Sequence, residues 1–212
     1  MPKTIMKYIR NENGKDRIRE LNKLSATELN GCLRKAWFER IDPAPRPFKT
    51  LFAFWRGNLM DRELTALFPR NQVRVTYRVR GTPIVIAGRI DFIDEDGAVA
   101  DLKTTDGMFF IKRDGAKDSN VKQVLFYAFC EATTKARLYY LSMGEWHKVE
   151  VDASEEKINE NLKLFEQNAK ILYDALVKGA APEFQDTYCK DYWECKGKEW
   201  KCEYYDRCYG KK

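Results

Sequence analysis

The stretch Gly88–Thr105 reads as two apolar strands joined by a tight turn, and it constrains the fold more than any other part of the chain. Asp101 and Lys103 stand two residues apart, so a strand turns both to one face while Ala100 and Leu102 turn to the other. If Glu95-Asp96-Gly97 is a three-residue loop with Gly97 in the left-handed position, the numbers of paired residues sum to 192 and Asp91 falls opposite Asp101. Like charges placed so, with Cβ atoms about 4.5–5.5 Å apart, weaken a sheet. A divalent cation between them removes the penalty. Mg²⁺ and Mn²⁺ prefer carboxylate and carbonyl oxygens and are often held by one or two carboxylates plus a substrate phosphate. Lys103 then reaches the same water or phosphate. The competing reading is the polar outer face of an ordinary hairpin.

Length and composition fit one catalytic domain, with or without a small appendage: 212 residues, 44% of them apolar. A formal charge of +6 and a pI near 8.9 suit a polyanionic partner, although an ordinary surface can carry the same excess. No apolar run approaches the roughly 18 residues of a membrane span, and the first ten residues lack a signal-peptide core, so a soluble cytoplasmic protein is expected. In that setting six cysteines point to metal binding or buried thiols and not to a disulfide framework. Cys32 falls in an amino-terminal helix and Cys130 in a central one, where it reads as a small hydrophobe. Cys189, Cys195, Cys202 and Cys208 crowd a final segment rich in Tyr and Trp and poor in aliphatic side chains. Something other than hydrophobic burial is expected to order it, and a metal centre is the economical candidate.

Periodicity and breakers predict the rest. Ser25 and Glu28 form a capping box for a helix to about residue 40, and a second helix covers roughly 50–67. Strands follow near 72–80, 84–93 and 98–104, then a polar, Gly-punctuated loop over 105–120 that can move above a site. A helix runs from Asp118 to about 132, strands cover 136–142 and 145–152, and a long amphipathic helix capped by Asp152-Ala-Ser-Glu155 stops at Gly179. Gln123 and Tyr127 share a helix face. That helix directly follows the hairpin, so the amide and phenol can sit beside the carboxylates and hold a phosphate or water; a core aromatic is the alternative for Tyr127. His147, in a late strand, reads as strand packing.

The hydrophobic helix with Gly57, then Asp91, Asp101-Leu102-Lys103 and Gln123-x-x-x-Tyr127 resembles the PD-(D/E)XK nuclease superfamily in its RecB-like branch. Cys32 and the terminal cysteines are similar to the iron-sulfur members of that branch, above all the CRISPR-associated RecB-like exonucleases. The resemblance implies an α/β fold with a restriction-endonuclease-like core: a mixed central sheet flanked by helices, and a cysteine-rich C-terminal segment closing against an N-terminal helix. It divides the chain into a nuclease domain over 1–180 (N-terminal helices 24–67, catalytic core 72–180) and an iron-sulfur segment over 181–212 completed by Cys32. It implies Mg²⁺ or Mn²⁺ on Asp61, Asp91, Asp101 and the main-chain carbonyl of Leu102, with Lys103, Gln123 and Tyr127 as further catalytic residues. At Asp61 the family usually carries histidine; aspartate is itself a ligand for Mg²⁺ or Mn²⁺. It also implies a cluster on Cys32, Cys195, Cys202 and Cys208, with Cys189 as the rival of Cys195. A 4Fe-4S cluster is favoured, with 2Fe-2S or zinc open. The implied activity is a deoxyribonuclease on single-stranded DNA, 5′ to 3′ and with some endonuclease action, serving CRISPR spacer acquisition beside the integrase proteins. A viral or host recombination and repair exonuclease, or a catalytically weak iron-sulfur DNA-binding subunit, are the alternatives.

Overall fold

A six-stranded mixed sheet organises the molecule, and the hairpin foreseen at Gly88–Thr105 lies within it. The computed structural model describes residues 3–13, 20–184, 195 and 202–209. In chain order come α1 (Lys3–Asn13), β1 (Lys23–Ser25), α2 (Ala26–Leu29), α3 (Leu33–Ile41), α4 (Phe48–Thr65), β2 (Asn71–Arg78), β3 (Val85–Ile93) and β4 (Val99–Thr104). They are followed by α5 (Met108–Asp114), α6 (Asp118–Cys130), β5 (Lys135–Leu141), β6 (Trp146–Asp152), α7 (Glu155–Lys178) and α8 (Tyr205–Tyr209).

The hairpin closes as its turn chemistry dictates. Gly97 takes φ +81°, which other residues reach only with strain, and the Asp94 N–H donates to the Ala98 carbonyl at 2.8 Å. The ladder runs Ile93↔Val99 and Phe92↔Ala100, the register that sets Asp91 across from Asp101. β2 pairs with β3 along its whole length, from Asn71↔Phe92 to Arg78↔Val85. A strand has two edges, so β1 and β4 must share the other edge in succession. β1 pairs in parallel up to Ser25↔Ala87, and β4 begins at Phe92. Gly88–Asp91 lie between them, a notch in which β3 has no strand neighbour on that side among the described residues. Beyond the notch β4 runs parallel to β5, and β5 antiparallel to β6.

The notch forms over a well-buried helical layer. Phe126 of α6 stacks on Phe165 of α7 at 5.1 Å, both fully buried, with Ile86, Ile90 and Leu138 of the sheet in the same core. Asn168 of α7 donates to the Leu29 carbonyl and Trp37 of α3 to the Ala175 carbonyl, tying the amino-terminal turn to that layer. α4 packs along β3 and β4 and also carries α1. Among the described residues no helix is long and apolar enough to cross a membrane.

Three expectations need correction. The helix foreseen from Ser25 to about residue 40 is two helices, broken at Asn30–Cys32, where the Asn30 side chain turns to donate to the Ser119 carbonyl at 2.9 Å. Cys32 therefore caps α3 from outside and is not within a helix. The segment foreseen as a loop contains α5, because Met108 and Ile111 bury one face of that turn. α1 and β1 were not foreseen; β1 is three residues long and owes its strand conformation to β3.

The capping box itself is present and extended. Glu28 accepts from the Ser25 N–H at 2.8 Å, from the Ser25 hydroxyl at 2.9 Å and from the Arg40 guanidinium at 2.7 and 2.9 Å. Burial alone would raise the Glu28 pKa, but Arg40 and Ser25 outweigh it and lower it. Glu28→Ala takes the carboxylate from a nearly buried guanidinium that keeps its bonds to the Glu20 and Lys23 carbonyls, so it should cost roughly 2 kcal/mol of unfolding free energy in urea titration, more than an exposed ion pair.

Candidate active site

The notch brings the sequence-singled polar residues together. Asp101 is 1% exposed and Asp91 8%, on neighbouring strands. Where the β3–β4 ladder ends, the Asp91 carboxylate takes the place of a backbone carbonyl and accepts the Leu102 N–H at 2.7 Å. Lys103 Nζ lies 2.6 Å from Asp101 Oδ2 and donates to Gln123 Oε1 at 3.3 Å. Gln123 Nε2 faces Asp101 Oδ1 at 3.3 Å and the Tyr127 hydroxyl at 2.9 Å. Five of the residues read from sequence thus form one connected polar cluster.

Tyr127 fills the notch. The Arg89 main-chain N–H lies near enough to its hydroxyl to act against the rise of its pKa. The Tyr127 ring lies so close to Gly88 that a Cβ there would sit 2.4 Å from Cε1. Gly88 is the positioning residue that sequence reasoning passed over, and a glycine in mid-strand was the signal for a close approach. Gly88→Ala must displace the ring, so we expect a loss of about 1–3 kcal/mol in stability and on the order of 10²-fold in any activity of this centre. Thermal melts and turnover of the same preparation read both.

Charge in the cluster is unevenly compensated. Burial, reinforced by the Asp101 charge, pushes Asp91 up to about 7 despite Lys103 and the Leu102 hydrogen bond. Burial would lower Lys103, but Asp101 and Asp91 outweigh it and hold the ammonium charged. Tyr127 is pushed to about 12 by burial and by Asp101. Asp101 Oδ2 has its ion contact with Lys103, yet no donor among the described residues meets it with hydrogen-bond geometry. Two buried carboxylates against one ammonium leave room for further positive charge, which is the requirement of a divalent-cation site.

Asp61 sits at the margin. It reaches α4's side of the cluster closely enough for Asp101 to raise its pKa after burial does, but Gln72 at 3.3 Å and Arg89 at 3.3 Å hold its carboxylate. Gln72 takes φ +50°, uncommon for a side-chain-bearing residue, while also donating to Thr65 at 3.1 Å. Neither Gln72 nor Arg89 was singled out from sequence. Among the described residues no three His, Cys, Asp or Glu side chains converge tightly enough to form a ready-made metal group. His147 stands across from Tyr140 in the β5–β6 ladder, away from these residues in sequence and strand order. Cys130 is pushed up to about 12 by burial, as a thiol treated as a small hydrophobe should be.

The terminal segment docks on α3. Tyr204 is fully buried, stacks on Phe38 at 5.3 Å and accepts the Ala44 N–H at 2.9 Å, so aromatic burial contributes to its order, contrary to the expectation that a metal centre alone does so. Burial raises the Cys208 thiol, while the Arg34 guanidinium opposes the rise. Cys195 and Cys202 are half-buried, and Cys189 lies outside the described residues.

The model of the PD-(D/E)XK nuclease superfamily matches residues 8–209. No curated protein matches the chain. Among solved structures, SSO0001 aligns with a TM-score of 0.58 at 18% identity, over 89% of this chain and 91% of that one. A phage-related exonuclease from Haemophilus somnus 129PT aligns with a TM-score of 0.53 at 13% identity, over 74% and 96%. An alkaline exonuclease (LHK-Exo) from Laribacter hongkongensis gives a TM-score of 0.49 at 13% identity, over 75% and 93%. The first two likenesses establish a shared fold.

Proposed function

The chain belongs to the PD-(D/E)XK nuclease superfamily, and from that premise we propose that it is a metal-dependent deoxyribonuclease that digests single-stranded DNA from an end. The observation that carries the reading is the cluster of buried Asp91, Asp101 and Gln123 with half-buried Lys103 at the sheet notch. The cation would be held by Asp91, Asp101, Asp61 and the main-chain carbonyl of Leu102. When bound, it supplies Lewis acidity to the scissile phosphate and acidifies a bound water.

The chain's own residues do the remainder. Lys103, kept charged by its carboxylates, orients the attacking water and stabilises charge developing on the phosphoryl oxygens. Gln123, fixed by Tyr127, bridges Lys103 and Asp101 and orients the phosphate. Burial around Asp101 excludes bulk water from the carboxylate pair.

End-labelled oligonucleotides incubated with Mg²⁺, Mn²⁺ or EDTA test the reading. Progressive, metal-dependent release of label that is lost in Asp101→Asn is the expected result. Digestion that persists in EDTA, or equally in Asp101→Asn, overturns it. Label at one end or the other reads polarity, for which we propose 5′ to 3′.

The finer proposal is a role in CRISPR spacer acquisition with a cluster, 4Fe-4S before 2Fe-2S, on Cys32, Cys195, Cys202 and Cys208, where Cys189 remains the rival of Cys195. Support for the cluster is the docking of the segment that carries Cys208 against α3, the helix that Cys32 caps; no third cysteine joins them in a group among the described residues. Iron and sulfide analysis of anaerobically purified protein, with a visible spectrum, tests it. A colourless protein without iron removes the cluster and leaves the nuclease reading standing.

A further inference from the structure

Beside the carboxylate cluster, two elements leave aromatic surface uncovered. α5 presents Phe109 and Phe110, 67% and 57% exposed, and the β5–β6 turn region presents Met143 and Trp146, 89% and 64% exposed. Single exposed apolar residues are ordinary, but a set carried on two elements tied to each other marks a contact surface. α5 is tied to that turn by the Lys112–Glu145 ion pair, and the loop before it to α4 by Arg56–Asp106 at 2.8 Å. A small open groove, of about 40 Å³, lies among them, lined by Arg56, Met60, Thr104, Asp106, Leu141 and Met143. Thr104 follows Lys103 on β4 with its side chain turned to the opposite face, toward Gly57 of α4, so the groove lies across the strand from the proposed catalytic lysine.

The chemistry of this surface alternates. The Phe109 and Phe110 rings pack edge to face at 5.7 Å, with the Arg113 guanidinium 5.5 and 5.2 Å from their centroids. Trp146 stands across from Leu141, which lines the groove. Ion pairs of Arg56, Lys112 and Arg113 separate the apolar groups, which breaks the continuous apolar face that a stable protein partner would need. A single nucleic-acid strand alternates in the same way, flat base faces with backbone anions.

We infer that Phe109, Phe110 and Trp146 form a stacking platform for unpaired bases of the strand, with Arg113 and Arg56 beside its backbone. This deepens the nuclease reading and rests on it for the direction of the strand toward Lys103. Binding is measured in an Asp101→Asn background by fluorescence anisotropy, with a labelled oligothymidylate and a blunt duplex, across a salt series. Phe109→Ala with Phe110→Ala should weaken single-strand binding about tenfold or more. The slope of log affinity against log salt should stay unchanged, because no phosphate contact is removed. Tyrosine at both positions should restore binding, and the duplex should change by less than about twofold, its bases being already stacked. Trp146→Ala on the other lip should give the same signature and keeps the test open if the α5 variant does not fold.

Unchanged single-strand affinity overturns the platform, as does a loss shared by the duplex with an altered salt slope. A dimer in solution that the α5 substitutions dissociate without touching affinity also overturns it, because the surface is then a contact between copies. Cleavage by the unsubstituted protein is scored separately. If it cuts and the variants bind normally, the platform alone falls; if it never cuts but the variants lose the strand, the nuclease reading falls and the platform stands.

Discussion

Lys103→Ala and Asp101→Asn should each lower Mn²⁺-dependent DNA cleavage by on the order of 10³-fold, the scale of removing one charged group aimed at transition-state charge. The two variants differ in what else they disturb. Asp101→Asn keeps the shape of a residue that is 1% exposed and removes one of two buried negative charges, so the fold should hold. Asp91 then loses the charge that helps raise it, and Lys103 loses its nearest partner. Lys103→Ala does the opposite, leaving both carboxylates without their ammonium. Without metal it should melt earlier than the parent, by an amount set by an uncompensated buried charge, about 3 kcal/mol or more. Added Mn²⁺ should recover much of that stability in Lys103→Ala and little of the activity. Stability and turnover measured together separate a catalytic lysine from a structural one: if activity returns with stability, Lys103 served only to hold the fold.

The reach of the sequence is clearest at the hairpin. Alternation fixes which side chains share a face, and Gly97 fixes the register, so Asp91 opposite Asp101 follows from local rules alone. Gln123 and Tyr127 were legible as a pair for the same reason, their helical spacing. The notch was not legible. It exists because β1 and β4 divide one edge of β3, and β1 is three residues whose pairing partner lies some sixty positions later in the chain. The ring of Tyr127 and the bare Gly88 make sense only once that edge is open.

Other misses share a cause. α5 hides in a stretch bounded by Gly107 and Gly115 and crowded with charges, where composition argues for a loop and only tertiary burial of Met108 and Ile111 argues for a helix. Its exposed phenylalanines then acquire a meaning that a loop would not give them. Asp61 was read from its spacing to Gly57, which places it on the correct helix but says nothing of Gln72 and Arg89, the neighbours that hold its carboxylate. Tyr204 shows the same limit at the tail, where its stacking partner Phe38 and its donor Ala44 are far away in the chain.

Asp91 predicts an unusual pH dependence for the metal-free protein. Its pKa is raised from the ordinary carboxylate value to about 7 in the folded state, by burial first and the Asp101 charge second. Between about pH 4 and pH 7 the native state therefore keeps a proton that the unfolded chain has released, and stability must fall as pH rises through that window. Carboxylates held low behave in the reverse sense: Glu28 and Asp94 lose their stabilising contribution only as pH falls below the ordinary carboxylate range, so the two regimes do not overlap. Melting temperature measured in EDTA from pH 4 to 8 should show the decline, and Asp91→Asn, which carries no proton to lose, should flatten it. A saturating divalent cation should flatten it as well, since a cation favours the ionised carboxylate and takes over the role of the bound proton. Parallel melting curves for the parent and Asp91→Asn across that window would remove Asp91 as the group that links protons, cation and fold. A decline that Asp91→Asn abolishes but metal leaves in place would keep Asp91 as the titrating group and take the cation away from it.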